Sequence, residues 1–244
     1  MTTALVVQAR MGSSRLPGKV LMDLAGRSFL WHCLARCAAT PGIDVVVCAT
    51  TDSPADDAVA EEAARCGAQV FRGSETDVLA RYQGAAAMVG AKTVMRVTSD
   101  CPFTDPELNG RVLAALAGAD YACNNMPPGW PHGLDCEAFP FALLQRAAAE
   151  ADQPFQREHV TPWIRTNETL KRVNVPGPGG AAAAHRWTLD HPEDRDYFRA
   201  VLAHLPPPPA LPGTEAILAV LAAHPELSAI NAARADHGRL AQSP

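Results

Sequence analysis

No apolar run in this chain reaches membrane-spanning length, and the opening Met1-Thr-Thr-Ala-Leu-Val-Val7 lacks the shape of a signal peptide. Positive charge is not in excess either. The formal net charge is −5, which argues against a general binder of nucleic acid or of membrane surfaces. No C-x-x-C pair occurs among the 7 cysteines, and their number is odd, so a disulfide framework is not expected and a reducing cytoplasm is. Cys33 and Cys37 share one side of a predicted helix with Phe29, Leu30 and Leu34. Core packing is expected there, because a zinc site would need two further ligands that the sequence does not offer. No internal repeat is visible. The most local absence is of acid: residues 1–22 hold neither Asp nor Glu, although the chain as a whole is acidic.

That acid-free opening contains Gln8-Ala-Arg-Met-Gly-Ser-Ser-Arg-Leu-Pro-Gly-Lys19, directly after Ala4-Leu-Val-Val7, a predicted buried strand. Arg10, Arg15 and Lys19 bring positive charge. Gly12 and Gly18 allow close backbone approach, and Ser13 and Ser14 add hydroxyl donors. A loop of this composition leaving the carboxyl end of a first strand suits a polyanion. It is not the P-loop of nucleotide hydrolases: five residues separate Gly12 from Gly18, and Val20 follows Lys19 where a hydroxyl is needed. The dinucleotide fingerprint G-x-G-x-x-G is missing too. With 48% hydrophobic and 19% charged residues, the 244-residue chain is ordinary for a globular protein with a sizeable core.

Strand and helix signals alternate through the first half. Strands are predicted at Ala4–Val7, Val45–Ala49, Ala68–Phe71 and Thr93–Val97. Helices are predicted from Ser28 to Ala39, from Ser53-Pro54 to a stop at Gly67, from Thr76 or Asp77 to near Gly90, and from a Thr104-Asp-Pro-Glu107 capping box to about Ala117. This order predicts an α/β fold with a mostly parallel sheet and helices on both faces, its site at the carboxyl ends of the strands. After Tyr121 the pattern changes. Phe139–Ala151 and Pro154–Thr166 read as helices, and Leu170–Val175 and Arg186–Leu189 as strands. Residues 176–184 form a connector expected to be mobile or at an edge, and Pro206–Pro209 is a spacer before a helical pair. No boundary divides the chain, so one domain is expected over 1–244. It would comprise a nucleotide half at about 1–120, a second region at about 121–185 and C-terminal helices at about 191–235.

Asp100 follows one predicted strand, and Asp190 ends another. Magnesium takes one or two protein carboxylates and completes its shell with phosphates and water, so this pair is a candidate Mg2+ site. A turn role before Pro192 would explain Asp190 equally simply. Asp135 and Glu137 are two apart in a predicted strand and would share a face. They would bind sugar hydroxyls, an amine or a second cation there, or else form an exposed polar face. Arg157, Glu158 and His159 fall in a predicted helix, with His159 read as a base, a phosphate contact or a structural hydrogen-bonder.

Seven blocks, in order, carry a resemblance. They are the Gln8–Lys19 loop, Ala49-Thr-Thr51, Arg72-Gly-Ser-Glu-Thr-Asp-Val-Leu-Ala-Arg-Tyr82, Thr98-Ser-Asp-Cys-Pro102, Gly133-Leu-Asp-Cys-Glu-Ala-Phe139, Arg157-Glu-His-Val-Thr-Pro162 and Arg186-Trp-Thr-Leu-Asp-His-Pro-Glu-Asp194. The chain resembles the cytidylyltransferases that activate 3-deoxy-octulosonate and sialic acids, and most of all their spore-coat polysaccharide (SpsF-like) branch. One departure is Ser99, where that family usually has glycine before the aspartate.

The resemblance implies a Rossmann-like nucleotidyltransferase fold and transfer of CMP from CTP to a small acceptor with release of pyrophosphate. It implies roles for Arg10, Arg15, Lys19 and Asp100 in catalysis, and for Asp100 and Asp190 on Mg2+. It implies nucleotide contacts at Ala9, Gly12, Ser13, Thr50 and Ser99, and a base-reading end at Arg72 and Ser74. Asp135, Glu137, Arg157 and His159 are the acceptor candidates. By the same resemblance, residues from about 125 to 185 make a homodimer and border the acceptor. A glycosyltransferase and a catalytically silent nucleotide binder are the rival classes. The first would carry a D-x-D strand end where this chain has Ser99-Asp100-Cys101. The second fits poorly with Lys19, Asp100 and Asp190 all in place.

Overall fold

The computed structural model describes residues 1–236. The strands are β1 (Thr3–Gln8), β2 (Asp23–Leu24), β3 (Arg27–Ser28), β4 (Val45–Thr51), β5 (Gln69–Gly73), β6 (Thr93–Thr98), β7 (Tyr121–Cys123), β8 (Glu137–Pro140) and β9 (Arg172–Asn174). The helices are α1 (Phe29–Ala38), α2 (Asp57–Arg65), α3 (Val78–Met88), α4 (Pro106–Ala115), α5 (Phe141–Glu150), α6 (Pro154–His159), α7 (Pro162–Thr166), α8 (Gly180–Ala183), α9 (Pro192–Leu202), α10 (Thr214–Ala223) and α11 (Pro225–Ala229). Seven strands form one sheet in the order β5-β4-β1-β6-β8-β7-β9, while β2 and β3 form a separate ribbon. β1 pairs parallel with β4 and β6, β4 with β5, and β7 with β9; β8 runs antiparallel to β6 and β7. Among the described residues no helix is long and apolar enough to cross a membrane.

The central strands are apolar on both faces because helices cover both. Along β1, Leu5 and Val7 join a core with α1, α4 and α9, whereas Ala4 and Val6 join a second core with α3, α5 and α7. Cys33 and Cys37 pack in the first core, as expected. Trp187 is fully buried there, edge-on to Phe103, which in turn meets Phe198 of α9 edge-on. These rings tie the C-terminal part of the chain to the first half of the sheet.

Local signals set most helix starts. Ser28 Oγ accepts from the Trp31 N–H, Ser53 Oγ from Ala55, and Asp77 Oδ1 from Ala80. The cap of α4 is Asp105 rather than Thr104. Asp105 Oδ1 accepts from the N–H groups of Glu107 and Leu108, while Thr104 bonds to Asn109. The residue before a proline avoids the helical region, so Pro106 must be the first helical residue and Asp105 its extended cap.

The second half departs further from the sequence reading. The segment 139–151 begins as β8, and Pro140, held extended, starts α5 only at Phe141. The predicted helix 154–166 breaks into α6 and α7 at Val160, whose φ is +73°. Arg186–Leu189 is not a strand. It is an extended strap held at single points, by a bridge between Arg186 and His132 and by the Leu189 N–H on the Asp100 carbonyl. The connector 176–184 carries the short helix α8 and is anchored where Gly177 and Gly129 pack backbone against backbone. A Cβ on Gly177 would lie 2.2 Å from the Gly129 carbonyl group, so Gly177 is not replaceable without moving a loop.

Candidate active site

The strand ends β1 and β6, the loop after β1 and the strap after Arg186 enclose a cavity of about 430 Å³. The Gln8–Lys19 loop forms one wall. Its Met11 N–H donates to Asp56 Oδ1 at 2.6 Å, and Asp56, itself buried, also accepts from the Thr51 hydroxyl. Gly18, at φ +70°, starts a single turn of 3₁₀ helix over Lys19–Leu21 that delivers Lys19 inward.

Lys19 Nζ donates to the Leu189 carbonyl at 2.6 Å and to Asp190 Oδ1 at 2.9 Å, and lies 3.7 Å from Asp100 Oδ2. Arg15 Nη2 reaches the same Asp190 oxygen at 2.6 Å. The other oxygen of Asp190 accepts from Arg186 Nη2 at 2.9 Å, and Arg186 is itself braced by Asp194. Burial works to raise the Asp190 pKa, but Lys19 and Arg15 outweigh it and hold the carboxyl well below the usual range. The turn role considered for Asp190 is instead filled by Asp194, whose Oδ2 accepts from the N–H groups of Asp190 and His191.

Most of the expected nucleotide and metal residues converge on this cavity: Ala9, Arg10, Gly12, Ser13, Arg15 and Lys19 from the loop, Ser99 and Asp100 from the end of β6, and Asp190 from the strap. His159 reaches it as well, beside Glu158. These two residues end α6 at a γ-turn. The Thr161 N–H donates to the His159 carbonyl across Val160, a buried β-branched residue at φ +73° and ψ −57°. Such a backbone costs on the order of 1–3 kcal/mol and persists only where its surroundings impose it. Thr161 supplies the anchor, donating to Glu137 Oε1 at 2.8 Å.

Other expected residues are placed elsewhere. Thr50 is wholly buried within β4. Arg72 turns back on the β4–α2 connection, with Nε on the Thr51 carbonyl, Nη2 on the Ser53 carbonyl and Nη1 on Asp57. Ser74 Oγ accepts from the Asp77 N–H. Neither Arg72 nor Ser74 is among the residues that line the cavity. Arg157 clamps α6 to the start of α3 through Asp77 Oδ2 and the Ala148 and Ala151 carbonyls, so it does not reach the cavity with His159.

The pairing of Asp135 with Glu137 on one strand face also fails. β8 begins only at Glu137, and Asp135 accepts from the Gly133 N–H in the preceding turn. Glu137 is 2% exposed and bound by Arg96, Arg165, Tyr121 and Thr161. Burial opposes its charge, yet Arg96 and Arg165 hold its pKa below the ordinary range.

Gln8, Val20, Val78, Arg81, Thr98 and Glu158 also line the cavity, although the sequence alone assigns them no role there. Val78 and Arg81 are three apart on α3 and therefore share a face, a spacing visible in the sequence once Asp77 is read as the cap.

Comparison with known proteins agrees with this geometry. The chain matches the family model described as cytidylyltransferase over residues 4–201. It is 35% identical over 204 residues to the spore coat polysaccharide biosynthesis protein SpsF of Bacillus subtilis, covering 80% of this chain and 84% of that protein. It is 34% identical over 193 residues to a 3-deoxy-manno-octulosonate cytidylyltransferase of Anaeromyxobacter dehalogenans, covering 72% and 78%. Among solved structures, a cytidylyltransferase from Leptospira borgpetersenii superposes with a TM-score of 0.87 at 27% identity, over 93% of this chain and 96% of that one. A phosphate-suited loop, the facing carboxylates of Asp100 and Asp190 and a family match spanning most of the chain lead to one assignment: the chain belongs to the cytidylyltransferase family and is a nucleotidyltransferase.

Proposed function

We propose that the protein transfers CMP from CTP to a sugar, sugar-acid or phosphorylated acceptor and releases pyrophosphate, in the synthesis of a surface polysaccharide or related metabolite. The observation that carries this reading is Lys19, whose Nζ sits between Asp190 and Asp100 at the mouth of the Gln8–Lys19 loop. The carboxylate of Asp190 engages Arg15 and Lys19 as an internal anion. A triphosphate would displace that contact and take both cations, with the loop N–H groups and Ser13 and Ser14 beside them.

The donor set fits a magnesium ion. Asp100 and Asp190 offer hard oxygen ligands, and their common contact with one lysine nitrogen puts both within reach of a single cation. Among the described residues no group of three or more His, Cys, Asp or Glu could form an all-protein cage. A site completed by phosphate oxygens and water suits magnesium. When bound, Mg2+ would neutralise charge on the phosphoryl oxygens. The acceptor oxygen then attacks the α-phosphorus in line, and the P–O bond to pyrophosphate breaks. Lys19 and Arg15 hold the departing pyrophosphate, while Glu158 and His159 face the acceptor side, where His159 can take the acceptor's proton at a ring nitrogen.

The substrate preference is testable without an acceptor. In a thermal-shift experiment with magnesium, CTP raises the melting temperature and ATP, GTP and UTP raise it less. Equal stabilisation by ATP and CTP would contradict the reading.

The 7 cysteines are free thiols, which suits the cytoplasm as its location. The homodimer rests on the resemblance. Of the residues expected at its interface, Phe139, Leu143 and Leu144 are buried in the chain's own second core, and Arg146 covers Trp163. Phe155, 61% exposed on α6, is the apolar side chain left beside the acceptor end. Light scattering at micromolar concentration should give a particle near twice the 25.9 kDa chain mass, and a fully active monomer would remove the idea.

A further inference from the structure

Two side chains that line the cavity carry buried polar atoms that the protein leaves without partners. Arg81 is 2% exposed. Its Nη1 donates to the Ser74 carbonyl at 2.5 Å, which fixes the guanidinium, but its Nε has no hydrogen-bond partner. Gln8, the last residue of β1, has a buried and unpartnered Oε1. Buried polar groups are nearly always paired, so an orphan donor and an orphan acceptor in one cavity call for a ligand that pairs with both.

Their placement says which part of the ligand. Gln8 alternates with Ala4 and Val6 on the sheet face covered by α3, and Val78 of α3 forms an apolar wall beside Arg81. The phosphate end, with Lys19 and Asp190, lies over the opposite face, next to Val20 and Leu189 of the first core. Arg81 thus stands at the start of the loop beside Arg10, on the other sheet face from Lys19 and Asp190. Burial pulls its pKa down, and neighbouring Arg10 adds to this.

We propose that Arg81 and Gln8 read the nucleobase. The Arg81 guanidinium donates to O2 and N3 of a 2-oxo-4-aminopyrimidine, and Gln8 Oε1 accepts from its 4-amino group. Arginine is donor-only, so it meets two acceptors on cytosine but faces the N3–H of uracil. This rests on the cytidylyl-transfer reading and moves the base contact from Arg72 and Ser74 to the second arginine of the same block.

Calorimetric titration of the wild type, Arg81→Met and Gln8→Met with CTP, UTP and inorganic tripolyphosphate tests it, with circular dichroism checking the fold. Arg81→Met should lose about 10- to 100-fold in CTP affinity, with its CTP-over-UTP preference falling toward one. Tripolyphosphate should bind it as it binds the wild type. Gln8→Met, which leaves the β1 backbone intact, should lose about 3- to 10-fold of the same preference, and decides the matter if Arg81→Met does not fold. An unchanged CTP-over-UTP ratio overturns the proposal. So does an equal loss on tripolyphosphate, which would make Arg81 a phosphate contact, or an unchanged CTP affinity with a raised acceptor KM. A wild type that binds no nucleotide in preference would instead bring down the underlying cytidylyl-transfer reading.

Discussion

Replacing Lys19 with alanine should lower turnover about 10²- to 10³-fold while the protein stays folded, equivalent to roughly 3–4 kcal/mol of lost transition-state stabilisation. Lys19 follows the loop, and its Nζ contacts only groups at the cavity: the Leu189 carbonyl, Asp190 and Asp100. In the proposed transfer, charge accumulates on the departing pyrophosphate as the P–O bond breaks, so the loss should fall on kcat more than on CTP affinity. Removing the lysine also leaves Asp190 with Arg15 and Arg186, which explains why the fold should tolerate the change. Asp100→Ala should cost a factor of the same order for the complementary reason, the loss of a carboxylate that faces the cavity at 28% exposure. Single-turnover assays at saturating CTP would measure both. Near-wild-type rates in either variant would remove the assigned roles.

The second large effect concerns stability. Glu137→Ala should destabilise the protein by about 3–5 kcal/mol, the usual consequence of removing one partner from a buried ion pair. In a chain of this size that corresponds to a fall in Tm of roughly 6–20 °C. The carboxylate pairs with Arg96 Nη1 at 2.6 Å and Arg165 Nη1 at 3.3 Å, and accepts from the hydroxyls of Tyr121 and Thr161. Because the folded-state pKa is lowered, the stabilisation is present at neutral pH and lost as the pH falls below the unfolded value of about 4.3. Urea melts of the wild type at pH 7 and at successively lower pH should therefore show a steeper decline than those of Glu137→Ala. An acceptor-binding role would give the opposite pattern, with unchanged melts and a raised acceptor KM. The same variant frees Thr161, so the γ-turn at Val160 loses its anchor and His159 its position over the cavity.

The sheet and the convergence of the Gln8–Lys19 loop with Asp100 were legible from local signals. Apolar runs bounded by Ser28, Ser53 and Asp77 as caps and by Gly67 as a stop specify their elements without tertiary help. The loop cations and Asp100 were legible because a parallel sheet gathers its strand ends, whereas Asp190 reaches the same place on the strap after Arg186. What sequence could not decide was direction and burial. Arg72 and Arg81 lie in one block, and only the packed structure shows that the first turns back on Thr51 while the second enters the cavity. Glu137 reads as polar, yet two arginines 41 and 28 residues away make its burial affordable. Arg186–Leu189 has the apolar content of a strand, but the loops at His132 and Asp100 each meet it at one point and no ladder forms. The extra turn at Val160 follows from the Thr161–Glu137 bond across the chain, which no local pattern announces.

The central claim is that CTP is cleaved between its α- and β-phosphates when an acceptor is present. Pyrophosphate release should therefore be followed with each of CTP, UTP, ATP and GTP, in magnesium, across a panel of keto-sugar acids, neutral sugars and phosphorylated or phosphonate acceptors. The account predicts release from CTP that depends on one acceptor class and is lost in Lys19→Ala. Pyrophosphate release that favours a purine triphosphate, or no release from CTP across the whole panel by a folded protein, would contradict it.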